Sequence, residues 1–161
     1  MNMPQKKLPI GIQTFKEIRT EGYYYTDKTP YCLQLINQGK HYFLSRPRRF
    51  GKSLLIDTLA ELFAGNQALF EGLYIYDKWD WSVQYPVIRI SFGGGVVNDH
   101  SQLENRCLAL LRSNEKRLDI VCDDKGSISI SNYFESLIQT AVAKTGQRVV
   151  ILVDEYDKPI L

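Results

Sequence analysis

The segment from Arg46 to Ser53 constrains this chain more than any other feature. It reads RPRRFGKS and matches the phosphate-loop pattern GxxxxGK[ST] at every required position except the first, where Arg46 replaces glycine. In such a loop Gly51 lets the backbone approach phosphates, Lys52 reaches the β and γ oxygens, and the Ser53 hydroxyl can ligate Mg²⁺. The alternative is a basic turn that happens to precede a helix.

The sequence around this loop supplies the strand and helix that a phosphate loop requires. The aromatic and apolar run Tyr42 to Leu44 predicts a buried strand that enters the loop. After Gly51, apolar residues recur at spacings of three and four, which predicts an amphipathic helix that ends at Gly65. Arg48 and Arg49 are either phosphate contacts or solvated loop charges.

The remainder of the chain alternates between predicted strands and helices. Residues 86–92 and 149–153 predict strands, the second one so apolar that it should be covered on both faces of a parallel sheet. Residues 101–114 and 131–144 predict helices, the latter capped by Ser131 and followed by Gly146. This alternation predicts an α/β fold.

Two acidic residues, Asp154 and Glu155, follow the second predicted strand directly. The carboxyl ends of parallel strands are where open sheets bind ligands. A carboxylate there suits Mg²⁺, and a neighbouring glutamate can polarise an attacking water. The alternative is an acidic surface turn, and Asp157 and Lys158 either line the site or face water.

Several other features have structural explanations that we prefer. An aromatic residue of Tyr23–Tyr25 could stack on an adenine ring, but core packing is the favoured interpretation. The triple glycine Gly93–Gly95 could approach a ligand, but a flexible strand exit is favoured. The three cysteines are read as reduced thiols because their spacing fits neither a zinc site nor a disulfide framework. Neither His41 nor His100 has a partner at metal-ligand spacing.

Length and composition exclude several classes of protein. The chain has 161 residues, enough for one domain, and 44% of them are hydrophobic, as in a soluble globular protein. The net charge of +2 is too small to indicate nucleic-acid or membrane binding by itself. The sequence contains neither an apolar run of membrane-spanning length nor a secretion signal, so we predict a cytoplasmic protein.

Four segments resemble one family, the bacterial AAA-ATPase-like proteins. They are the N-terminal LPIG, the YTDKT motif, the loop FLSRPRRFGKSL and the motif VDEYDKPI, together with LFEGL at residues 69–73. The resemblance runs from about Leu8 to Leu161. Members of this family also carry arginine at the first position of the loop, so Arg46 fits the pattern.

The resemblance implies a P-loop NTPase-type parallel sheet flanked by helices, with the loop as Walker A motif and the acidic pair as Walker B motif. It implies ATP and Mg²⁺ as cofactors, with Glu155 and Lys52 as the catalytic residues. Ser53 and Asp154 are the implied metal ligands. The implied nucleotide-binding residues are Arg46, Arg48, Arg49, Phe50, Gly51, Lys52, Ser53 and Leu54.

Family members continue beyond the acidic pair, commonly into a C-terminal domain similar to PD-(D/E)XK nucleases. In related ATPases a strand that comes later in the chain lies between the loop strand and the acidic strand. We therefore expect residues 1–161 to be the N-terminal portion of the ATPase domain, with an incomplete sheet. Such a fragment should be marginally stable or prone to aggregation, because its strand edges lack partners.

The leading functional hypothesis is ATP binding, with Mg²⁺-dependent hydrolysis only in the intact protein and an inactive fragment. The alternative is a nucleotide-dependent interaction or regulatory module without significant turnover. A small phosphotransferase is disfavoured, because a water-activating glutamate suits hydrolysis better than transfer. Direct DNA contact through the arginine-rich loop is possible but not indicated, and no membrane partner is expected.

Overall fold

Residues 6–94, 99–122 and 129–158 are described by the structure, which is a computed structural model. They form an α/β protein that divides into two units, Met1–Val83 and Gln84–Leu161. Among the described residues no helix has both the length and the apolar character needed to cross a membrane. The α/β class predicted from the sequence is therefore confirmed.

The first unit consists of helices and connecting segments. Helix α1 spans Phe15–Thr20, α2 spans Thr29–Gln38, α3 spans Lys52–Phe63, and a 3₁₀ turn spans Gln67–Phe70. The buried core of this unit comprises Phe15, Cys32, Leu62, Phe70 and Ile75. Because this core draws on all four elements and the following loop, it fixes the position of α3 in the unit.

Helix α3 confirms the helix predicted after the loop. Leu62 is fully buried, and Leu55 and Leu59 pack against the same core. The helix stops before Gly65, whose φ of 77° lies in the left-handed region that favours glycine.

The strand predicted at Tyr42–Leu44 is wrong for this structure. Residues 41–47 form neither helix nor strand, and Tyr42, Phe43 and Leu44 expose 53, 72 and 44% of their surface. A strand exists only as part of a sheet, and the sheet described here lies entirely in the second unit. The apolar residues alone are therefore not enough to form one.

The YTDKT motif, residues 25–29, contacts several parts of the first unit. The Tyr25 ring packs edge-on against Phe15 at 5.2 Å between centroids, which confirms its predicted core packing. Asp27 accepts hydrogen bonds from the Thr29 backbone N–H and from the Tyr74 N–H, at 2.8 and 2.7 Å. Burial opposes ionisation of Asp27, but these hydrogen bonds outweigh it and lower the pKa of the carboxyl. The motif thus ties the start of α2 to the segment after the 3₁₀ turn.

The buried Cys32 should be chemically inert in the folded chain. Burial, and next the negative charge of Asp27, raise the pKa of its thiol from 9.0 to about 12. Because the thiolate is the reactive form, we expect iodoacetamide near neutral pH to modify Cys32 about 1,000-fold more slowly than an unperturbed cysteine. Peptide mass spectrometry before and after unfolding in urea measures this protection. Folded-state labelling of Cys32 as fast as that of half-buried Cys107 would contradict the prediction.

The second unit contains a parallel pair of strands and two helices. Strand β1 spans Val87–Ser91, α4 spans His100–Arg117, α5 spans Ile130–Thr145 and β2 spans Val150–Asp154. The strands pair in parallel from Val87 opposite Val150 to Ser91 opposite Asp154. Both predicted strands and the predicted parallel sheet are thus confirmed, and both strands end at the same edge of the sheet.

The caps of α5 differ from the prediction at one end. The side chain of Ser129, not Ser131, accepts the hydrogen bond from the Asn132 N–H, so the helix starts one residue earlier than predicted. Two serines lie close together here, and the one in extended geometry outside the helix is the effective cap. Gly146 ends the helix with a φ of 67°, as predicted.

The helices of the second unit pack mainly against β1. The buried core consists of Ile88, Leu111, Ile120, Cys122, Tyr133, Leu137 and Ala141. Strand β2 is less covered than predicted, since Ile151 and Val153 each expose 42% of their surface. The expected full coverage of β2 is therefore wrong. Ile151 and Val153 pair with Ile88 and Ile90 and so lie on the same face as the core, but the described helices cover this face over β1 more completely than over β2.

The outer edge of β1 is closed by side chains of α4. The Asn114 amide accepts a hydrogen bond from the Arg89 N–H and donates one to the Arg89 carbonyl, both at 2.7 Å. Arg117 donates to the Val87 carbonyl at 2.7 Å. The primary amide thus pairs with β1 as the peptide group of a neighbouring strand would. The backbone groups of Val87 and Arg89 at this edge of β1 are therefore already paired.

Candidate functional site

The phosphate-loop sequence forms a tight turn that leads directly into α3. Gly51 precedes the helix with a φ of 76°, and Arg49 also lies in the left-handed region, with a φ of 66°. Left-handed conformation is costly for a residue with a Cβ, which explains why glycine occupies position 51. Residues 48–51 therefore form a tight turn directly before the helix.

Lys52 folds back across the loop that precedes it. Its Nζ donates hydrogen bonds to the carbonyls of Arg46 and Pro47, at 2.8 and 3.1 Å. These two bonds tie the lysine ammonium to the backbone at the beginning of the loop. The positive charge of Lys52 is therefore held beside the loop backbone.

The N-terminus of α3 is open to an anion. Its N-cap residue is Gly51, which has no side chain to cap it, and its first turn holds no acidic residue. A helix of 12 residues carries partial positive charge at this end and presents unpaired N–H groups. Uncapped N-termini of this kind bind phosphate well, and the Lys52 ammonium adds to that tendency.

The other predicted loop residues differ in their exposure. Ser53 and Leu54 are half-buried in the first turn of α3. The residues outside the helix are all exposed, with 68% of the Phe50 surface accessible; they are Arg46, Arg48, Arg49 and Phe50. The exposed arginines fit both predicted alternatives, phosphate contact and solvated charge.

Asp154 and Glu155 lie where the sequence predicted, at the carboxyl ends of the parallel strands. Asp154 is the last residue of β2 and lies opposite Ser91, the last residue of β1. Its Oδ1 accepts a hydrogen bond from the Glu155 N–H at 2.9 Å. Glu155 has a φ of 53°, which is unusual for a residue with a side chain. The strand end therefore turns sharply between the two carboxylates.

Lys158 and Gly93 contact Glu155, whereas the sequence left the role of Lys158 open and favoured a strand exit for Gly93. The Lys158 Nζ lies 2.8 Å from Glu155 Oε2 and donates to the Gly93 carbonyl at 3.3 Å. A Cβ on Gly93 would lie only 2.1 Å from Oε2. Lys158 thus contacts the acidic pair while it remains exposed, and Asp157 is exposed as well.

Arg106 of α4 was missed altogether. A Cβ on Gly94 would lie only 2.6 Å from Nη2 of Arg106. The same Nη2 donates a long hydrogen bond to the Ser91 carbonyl, at 3.5 Å. Side chains thus approach both Gly93 and Gly94 closely, and the predicted flexible exit stays a prediction. The third glycine, Gly95, lies outside the described residues. The glycine run was the signal that could have revealed this crowding.

The two halves of the predicted site belong to different units. Lys52 and Ser53 are in the first unit, and Asp154 and Glu155 are in the second. Their convergence on one triphosphate therefore stays a prediction. Within the described residues there is no cluster of three or more histidine, cysteine, aspartate or glutamate side chains that could hold a metal by itself.

Comparison with known proteins identifies the family. Residues 9–161 match the AAA-ATPase-like family, described as predicted AAA-ATPases. An uncharacterized protein from the vnfD 5′ region of Azotobacter chroococcum mcd 1 is 61% identical over 160 residues. That match covers 99% of this chain and 30% of the other protein's length. No solved structure matches the chain. Because the family match extends over nearly the whole sequence, the chain belongs to the AAA-ATPase-like family.

Proposed function

We propose that the chain binds ATP through the loop before α3, as part of a P-loop NTPase. The observation that carries this proposal is the Lys52 ammonium, held over the loop carbonyls at an uncapped helix N-terminus. Lysine and unpaired N–H groups at one place are suited to a polyphosphate. Family membership adds ATP-related chemistry as the expected activity.

Mg²⁺ fits the oxygen atoms that the chain offers. The Ser53 hydroxyl and the Asp154 carboxylate are hard ligands of the kind that Mg²⁺ prefers, and two protein ligands suffice when phosphates and waters complete the octahedron. When bound, the ion would neutralise negative charge on the β- and γ-phosphates. This assignment requires the two units to bring Ser53 and Asp154 together.

The chain's own residues bind the phosphates and activate the water in the proposed reaction. Lys52 binds the β and γ oxygens, and the exposed Arg46, Arg48 and Arg49 offer additional charge beside them. Glu155 orients the attacking water and accepts its proton. We assign hydrolysis to a full-length protein in which this chain is the N-terminal portion of the ATPase domain and further strands join the sheet beyond β2.

Replacing Lys52 with alanine tests the proposal. We expect ATP affinity to fall about 10- to 100-fold, because a hydrogen bond to a charged group contributes roughly 1.5–3 kcal/mol. Titration with fluorescent ATP in the presence of Mg²⁺ measures the change, in the 161-residue chain and in the full-length protein.

The matched control for this experiment is Lys16→Ala, which removes an exposed lysine from α1 in the same unit. It should leave ATP affinity unchanged. Equal affinity in wild type and Lys52→Ala would remove the proposed role of Lys52, and an absence of ATP binding by the wild type would refute the proposed function.

A further inference from the structure

The contact between Lys158 and Glu155 is not explained by the roles assigned so far. The Lys158 ammonium pairs with Glu155 Oε2 at 2.8 Å and also donates to the Gly93 carbonyl. Glu155 follows β2 and Gly93 follows β1, so one ammonium joins the segments that leave both strands. A group in this position can fix where the Glu155 carboxylate lies.

Gly93 supplies the space that this carboxylate occupies. A Cβ at this position would lie 2.1 Å from Oε2 and 3.0 Å from Cδ of Glu155, so the carboxylate, at the end of a flexible side chain, would have to move. The φ of Gly93 lies outside the left-handed region, so backbone conformation does not account for the glycine. Glycine at position 93 therefore leaves room for the Glu155 carboxylate in the position seen here.

The backbone of Glu155 is fixed as well. Its φ of 53° lies in a region that residues with a side chain rarely adopt, and its N–H is bound to Asp154 Oδ1. Conformations of this kind persist only where the surroundings enforce them, and they concentrate at functional sites. The Glu155 carboxylate is therefore restrained both by the backbone conformation of this residue and by the ion pair of Oε2 with Lys158.

We propose that Lys158 is a positioning residue that acts through Glu155, with Gly93 providing the seat for the carboxylate. This inference rests on the proposed function. With Oε2 held by Lys158, Oε1 is the atom that takes the proton of the attacking water. In that step the water oxygen bonds to the γ-phosphorus, the bond from phosphorus to the bridging oxygen breaks, and its electron pair leaves with ADP.

The test measures turnover and ATP affinity separately in the full-length protein. We expect Lys158→Met to lower kcat about 10- to 100-fold with ATP affinity changed less than about twofold, because a misplaced catalytic group costs rate rather than binding. Lys158→Arg keeps a cation near Oε2 and should restore most of the rate. Gly93→Ala displaces the same carboxylate and should lower kcat in the same way.

Combination with Glu155→Gln shows whether Lys158 acts through Glu155. If it does, Lys158→Met lowers the turnover of Glu155→Gln no further. The control Lys116→Met, at an exposed position of α4, should leave both quantities unchanged.

Several outcomes would overturn this inference while leaving the proposed function intact. They are an unchanged or increased kcat in Lys158→Met, a loss of ATP affinity in that variant, and full additivity with Glu155→Gln. A wild-type protein that neither binds nor hydrolyses ATP refutes the proposed function and this inference together.

Discussion

Replacing Glu155 with glutamine is expected to lower ATP turnover by the full-length protein about 100-fold or more, with ATP affinity changed less than about twofold. Glutamine has nearly the same shape as glutamate but cannot accept a proton from water. General base catalysis contributes about 10²- to 10⁴-fold in rate, so its loss appears in kcat. Phosphate release under saturating ATP and Mg²⁺ measures kcat, and a fluorescent-ATP titration measures affinity.

Glu104→Gln is the matched control for this experiment. Glu104 is an exposed residue of α4 that lies 3.7 Å from His100 Nδ1. Its replacement should leave turnover unchanged. If Glu155→Gln also leaves phosphate release unchanged, the enzyme hypothesis fails, and a nucleotide-dependent interaction module becomes the better explanation of the loop.

The sequence predicted best what depends on neighbouring residues. The turn at Gly51 and the helix after it require only a residue that tolerates positive φ followed by an apolar repeat of three and four. The position of Asp154 likewise follows from an apolar run that ends in a carboxylate. Both halves of the candidate site were therefore visible without a structure.

Features that depend on distant partners were not predictable in the same way. The Tyr42–Leu44 segment has the composition of a strand, but composition does not supply the neighbour that a strand needs. In the first unit, Asp57 of α3 accepts a hydrogen bond from the Phe15 N–H at 2.6 Å, across 42 positions of sequence. Nothing local to Asp57 distinguishes it from an exposed helical carboxylate.

The surroundings of the acidic pair show the same limit. Lys158 lies only three positions after Glu155, so its ion pair was at least conceivable from the sequence. The Gly93 carbonyl that also binds Lys158 is 65 positions away, and Arg106 reaches Gly94 from a different element. A run of glycines indicates either the close approach of another group to the backbone or a flexible segment, and the sequence alone does not distinguish the two.

Asn114 offers the largest expected effect on stability. Its amide forms two hydrogen bonds with the Arg89 backbone and donates a third to the Leu110 carbonyl at 2.8 Å, and Arg117 donates to its oxygen. Only 2% of its surface is exposed. Asn114→Ala removes all of these bonds at once, and water reaches this buried position poorly. We expect the second unit to lose about 3 kcal/mol of unfolding free energy, since each buried polar group left unsatisfied costs roughly 1–3 kcal/mol.

The two units allow this loss to be localised. Both tryptophans, Trp79 and Trp81, belong to the first unit, so urea unfolding followed by tryptophan fluorescence should change little in Asn114→Ala. Unfolding followed by far-ultraviolet circular dichroism should show an earlier transition from α4 and α5. Hydrogen exchange of the Arg89 amide should accelerate, because its acceptor on the side chain is gone.

Asn132→Ala is the control, because Asn132 lies exposed near the start of α5. It should change stability by less than about 0.5 kcal/mol. The Asn114 variant should also associate more readily at high concentration, since an uncovered strand edge pairs with other chains. A stability loss below about 1 kcal/mol, with unchanged exchange at Arg89, would show that the amide does not close the edge of β1. The sheet would then be free to grow on both sides, and the proposed placement of further strands beyond β2 would lose its support.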